Sequence, residues 1–121
     1  MSPVRLSRAF ERPEGLLLQH VQVAGLPEPV TQYQATPPRK FAWDLAWPAE
    51  GYRLLVDVQG AVWAGGRHTR GAGYEDDTEK WSLATVAGFR VLIVTTRQVE
   101  DGRALAWIEA ALHGPGYRTR K

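Results

Sequence analysis

The sequence predicts an α/β domain, a mixed sheet flanked by helices, and three observations predict it. The segments "KFAWDLAW" (40–47) and "RLLVDVQ" (53–59) alternate strongly between two faces, which is the period of a strand. The turn "PAEGY" between them makes an antiparallel hairpin. A later segment, "FRVLIVTT" (89–96), is an almost continuous apolar run. Such runs form strands buried on both faces, and a helical segment precedes this one, as a crossover connection requires.

In chain order, "RPEGLLLQHVQVAGLPEP" reads as a helix. Pro13 suits its first turn, Gly25 and two prolines end it, and Leu17, Val21 and Ala24 recur at helical spacing with Leu18 widening the stripe. "TQYQA" is a short strand and "TPPR" a turn. In the hairpin, Phe41, Trp43, Leu45 and Trp47 are expected on one face, with Ala42, Asp44 and Ala46 on the other. On the second arm Leu54, Val56 and Val58 share a face, and Leu55, Asp57 and Gln59 share its reverse. The loop "GAVWAGGRHTRGAG" is rich in glycine and carries two arginines, a composition suited to contact with a partner. "YEDDTEKWSLATVAG" reads as a helix capped by an aspartate and stopped by Gly88. "DGRALAWIEAALHG" is a closing amphipathic helix. The predicted order is α-β-β-β-α-β-α.

A chain of 121 residues suits one domain over 1–121, with an N-terminal arm (1–12) and a frayed basic tail (113–121). At 44% hydrophobic and 23% charged it reads as soluble and globular. No apolar run approaches the roughly 20 residues of a membrane span. The N-terminal residues lack the apolar stretch of a signal peptide, and the absence of cysteine excludes disulfides and thiolate zinc sites. A cytoplasmic location is expected. Twelve of the 15 basic residues are Arg. Arg suits bidentate phosphate contact, and genomic GC bias enriches it equally. The lack of Asn fits the same bias or a thermophilic source.

An antiparallel hairpin centred on Glu50–Gly51 pairs residues whose numbers sum to 101, so Asp44 faces Asp57. Like charges directly opposite one another repel, and folding alone gives no reason to choose them. A divalent cation turns that cost into attraction, and Mg²⁺ is a hard ion that takes carboxylate oxygens. The competing reading leaves both Asp on a solvated face. An acid in a strand followed by a basic, glycine-rich loop brings metal ligands next to phosphate-binding groups, the arrangement a phosphodiester hydrolase needs.

An Asp on one strand, a hairpin, and Asp-Val-Gln on the next resemble the PD-(D/E)XK nuclease superfamily. The longer strings "GLPEPVTQYQ", "RKFAWDLAWP", "LLVDVQGAVWAGGRHTRGAGYEDDTEKWSLATVAGFRVL" and "ALAWIEAAL" resemble small phage and prophage endonucleases similar to Holliday junction resolvases, over about residues 14–112. The resemblance implies a restriction-endonuclease-like αβββαβ core with its active site at the hairpin edge. It implies Asp44 and Asp57 as direct ligands of one or two Mg²⁺, for which Mn²⁺ substitutes. The backbone carbonyl of Val58 is implied in the metal sphere, and Glu14 as the helix acid, with Glu11 competing.

Gln59 stands where the superfamily usually has the lysine that orients the attacking water. It can hold a water but brings no positive charge. Lys80, on the following helix, is a candidate to restore that charge; the alternative is a surface lysine paired with Glu79 or Asp76. Asp77 reads as a helix cap or a partner of Lys80. Arg67, His68 and Arg70 in the glycine-rich loop, with Arg39 and Lys40 before the first acid strand, are candidate DNA contacts. Trp63 is a candidate to stack on a base, whereas Trp43, Trp47 and Trp107 are expected in the core.

The implied activity is metal-dependent cleavage of four-way or otherwise branched DNA by paired symmetric nicks, in the host cytoplasm if the chain is phage-encoded. Such a substrate implies a twofold homodimer, for which the apolar face of the first helix and the flank at Val62–Trp63 are candidates. The alternatives are a DNA-binding module on a catalytically decayed nuclease fold, and a mismatch- or strand-specific nicking enzyme.

Overall fold

The structure, a computed structural model, describes residues 12–59 and 71–114. The N-terminal arm, the glycine-rich loop over 60–70 and the basic tail beyond 114 lie outside the described residues. The elements are α1 (Pro13–Val23), β1 (Val30–Gln34), β2 (Ala42–Trp47), β3 (Leu54–Gln59), α2 (Gly71–Val86), β4 (Arg90–Thr95), α3 (Thr96–Glu100) and α4 (Arg103–His113). The strands form one sheet in the order β1-β2-β3-β4. β1, β2 and β3 are antiparallel in succession, and β4 returns through α2 to lie parallel to β3. The expected mixed α/β sheet flanked by helices is therefore the architecture. No helix among the described residues is long and apolar enough to cross a membrane.

Each sheet face builds its own core. On one, Leu45, Trp47, Leu54, Val56 and Val94 meet Leu17 and Val21 of α1, Val99 of α3, and Ala104 and Ile108 of α4. On the other, Trp43, Ala46 and Leu55 meet Ala84 of α2 and Phe89, with Trp81, Val91 and Ile93 packed alongside. Burying one such Leu, Val or Ile contributes about 1.5–3 kcal/mol. A surface ion pair is worth about 0–1 kcal/mol, so the two apolar layers decide the fold.

The helix ends follow from glycine. After α1, Gly25 (φ 74°) donates to Gln22 O at 3.1 Å and Leu26 N donates to Val21 O at 3.3 Å. After α2, Gly88 (φ 94°) donates to Thr85 O at 3.0 Å and Phe89 N to Ala84 O at 3.0 Å. Both are Schellman closures, in which the residue past the helix must be left-handed. A Cβ at residue 88 would meet Arg53 Nη2 at 3.3 Å in addition to the unfavourable φ. Gly88→Ala is therefore expected to cost about 1–2 kcal/mol, read as a lower denaturant midpoint at unchanged slope.

The structure corrects several expectations. Trp43 packs on the opposite face from Leu45 and Trp47, because the strand alternation breaks at Asp44. α2 starts at Gly71, so Asp76 and Asp77 lie inside the helix and neither caps it. β4 is an edge strand, and its central residues are only half-buried although both its faces are covered. Trp107 is 40% exposed. The buried stripe of α4 runs through Ala104, Ile108 and Leu112, and residue 107 lies about 100° from its centre.

α3 was not expected. It begins in a capping box: Gln98 N donates to Thr95 Oγ1 at 3.2 Å and Thr95 N to Gln98 Oε1 at 2.9 Å. Leu17 and Val21 of α1 are wholly buried in the chain's own core, so the apolar face of that helix is not available to a dimer partner. Val62–Trp63 lies outside the described residues.

Candidate active site

The site forms where two strands break step together. Between β1 and β2 the backbone pairs Thr31 with Leu45 and Tyr33 with Trp43, but Gln32 and Asp44 between them do not pair. Gln32 there is left-handed, with φ 50°. Between β2 and β3 the pairs run Trp47–Leu54, Ala46–Leu55 and Leu45–Val56 and then stop. Their numbers sum to 101 as the sequence predicts, so the next position sets Asp44 against Asp57.

Carboxylates replace the backbone ladder at that point. Asp44 N donates to Asp57 Oδ1 at 3.3 Å, and Val58 N donates to Asp44 Oδ2 at 2.9 Å. Gln32 Nε2 donates to Asp44 Oδ1 at 3.3 Å. A strand residue presents its N–H and C=O to the same edge, so the Val58 carbonyl also leaves β3 on the side of Asp44.

Asp57 is 7% exposed. Its Oδ2 accepts from Lys80 Nζ at 2.8 Å. Lys80 also donates to Ala42 O at 2.6 Å and stands 4.7 Å from the centre of the Trp43 ring. The break at Asp44 thus has a second effect. It carries Trp43 to the face covered by α2, where the indole becomes a floor for the ammonium. Burial pushes the Asp57 carboxyl up to about 6. The Lys80 hydrogen bond and charge pull it back, and the negative charge of Asp44 adds to the rise.

The other sequence candidates divide. Gln59 ends β3, half-buried, on the same face as Asp57. Lys80 pairs with neither Glu79 nor Asp76, and Asp77 is not its partner. Glu14 lies in the first turn of α1, in the layer across the sheet from Lys80. Among the described residues no three His, Asp or Glu side chains come together in an arrangement able to hold a metal, so Glu14 does not join the acid pair. Arg39 is paired with Glu79 and lies 4.6 Å over the Phe41 ring, while Lys40 is exposed. Glu11, Trp63, Arg67, His68 and Arg70 lie outside the described residues.

Sequence reasoning missed Gln32 and the side of the sheet on which Trp43 lies. A glutamine in a short polar strand carries no signal for a left-handed backbone, which glycine or asparagine would have announced.

Chemically, the pair suits a hard divalent cation. Mg²⁺ is commonly held by one or two carboxylates, with water and phosphate oxygens completing its shell. Among the described residues each of the four carboxylate oxygens accepts one hydrogen bond, and a carboxylate oxygen has a second lone pair with which to take a ligand. The residues present therefore fit such an ion. No protein family, curated protein or solved structure matches the chain.

Proposed function

We propose that the chain is a metal-dependent endonuclease of the PD-(D/E)XK type acting on branched DNA, with the four-way junction as its leading substrate. The observation that carries this reading is the meeting of Asp44 and Asp57 across β2 and β3, with the Lys80 ammonium on the buried acid. Two acids and one lysine on the restriction-endonuclease-like core make up the working set of that superfamily. Here the lysine comes from α2 rather than from position 59.

Asp44 and Asp57 would hold Mg²⁺, with the Val58 carbonyl as a further oxygen donor. Bound there, the ion supplies positive charge at the scissile phosphate and acidifies water. The residues of the chain do the rest. Among the described residues Lys80 uses two of its three N–H donors, on Asp57 and Ala42, and the third can orient a water or a phosphate oxygen. Gln59, on the same face as Asp57, offers an amide to position the attacking water. Lys40 and the arginines around the glycine-rich loop are suited to the DNA backbone. A junction has twofold symmetry, so paired nicks call for a homodimer.

The test is a synthetic four-way junction incubated with Mg²⁺, beside linear and mismatched duplexes at the same salt. Paired symmetric nicks by wild type, and none by Asp44→Asn, are expected. Binding of the junction without cleavage under any divalent ion would instead identify a DNA-binding module, a reading that the glutamine at 59 favours.

A further inference from the structure

Gln32 combines three features that its place in an edge strand does not explain. Its backbone is left-handed, at φ 50°. Few non-glycine residues adopt that conformation. It faces Asp44 at the one gap in the β1–β2 ladder, while the flanking pairs keep register. Its amide donates to Asp44 Oδ1, the oxygen opposite the one held by Val58 N.

We propose that Gln32 is a positioning residue for Asp44. Its left-handed backbone allows β2 to break step, and its amide fixes the plane of the carboxylate that faces Asp57. The proposal rests on the endonuclease reading of the same site. A carboxylate held by one backbone N–H can still rotate about that bond. A second donor on the other oxygen removes the rotation and leaves one lone pair of each oxygen directed away from the protein. The 3.3 Å separation is at the long end for a hydrogen bond, and bonds of this kind tighten when the ligand arrives.

Backbone and side chain separate experimentally. Gln32→Gly and Gln32→Asn both tolerate a left-handed backbone; glycine removes the amide, and asparagine carries it on a side chain one methylene shorter. Each variant and the wild type are titrated with Mn²⁺ alone, read by the free-ion paramagnetic signal, and unfolded by heat without metal. The expected result is a Mn²⁺ affinity about 10-fold weaker in both variants, the loss typical of an outer-shell partner, with unfolding temperatures at or above wild type for Gln32→Gly. Wild-type affinity in either variant overturns the proposal and leaves the endonuclease reading standing. A wild type that binds no Mn²⁺ overturns both.

Discussion

Asp57→Asn is expected to abolish cleavage and at the same time make the protein harder to unfold. Asp57 is 7% exposed, and its carboxyl is raised from the ordinary 3.8 to about 6, chiefly by burial. A raised acid binds its proton more tightly folded than unfolded. Its contribution to stability is therefore complete below pH 3.8 and is lost as pH rises through about 6. Above that window the ionised group costs about 3 kcal/mol relative to its neutral form. Asparagine has the neutral shape at every pH and can still accept from Lys80, and the rise to about 6 is already net of the attraction to Lys80, so losing that attraction is counted in the balance. The variant should gain about 1–3 kcal/mol at pH 8 and well under about 1 kcal/mol at pH 4, read as two thermal unfolding series. Activity moves the other way, by more than the roughly 100-fold loss seen when an outer-shell metal partner is removed. A variant less stable than wild type at pH 8 would contradict this account of Asp57.

Lys80→Met is expected to have the largest destabilising effect in the site. Removing one member of a buried pair strands the other and costs about 3–5 kcal/mol. The side chains of Lys80 and Asp57 are 13% and 10% exposed, so little solvent screens them. The stranded Asp57 escapes by taking up a proton. Without Lys80 that carboxyl rises further above 6, so the penalty should be largest at high pH, shrink as pH falls toward 6 and level off below it. The double variant Asp57→Asn/Lys80→Met removes both charges and should unfold much closer to wild type than Lys80→Met does, a coupling read from the double-mutant cycle. In cleavage, Lys80→Met should lower kcat more than it changes KM for DNA, since the proposed place of the ammonium is at the reacting phosphate rather than along the arms.

The hairpin was legible because its signals are local. Alternation in 40–47 and 53–59 and the turn at Glu50–Gly51 set the register, and register alone brings Asp44 to Asp57. The helix stops at Gly25 and Gly88 were legible for the same reason, since each closure needs a positive φ. What the sequence hid is what depends on contacts distant in the chain. Uniform alternation puts Trp43 beside Leu45, and nothing in "AWDLAW" announces the break that moves it to the other face. The matching gap on the neighbouring strand, at the left-handed Gln32, lies outside that segment altogether. Lys80 was legible as a candidate for the site, but not its partners: it reaches Asp57 across 23 positions and the Ala42 carbonyl as well, contacts that the packing of α2 on the sheet creates. Trp107 was misplaced because an apolar residue at the margin of a helical stripe reads as part of the stripe.

The proposed endonuclease requires a cation between Asp44 and Asp57. The most direct measurement is a crystal of the wild-type protein soaked in Mn²⁺ and measured at the manganese absorption edge. An anomalous peak within bonding distance of oxygens from both aspartates is the expected result. A map without a peak there, with both carboxylates held only by Gln32, Val58, Lys80 and the Asp44 backbone, would contradict it.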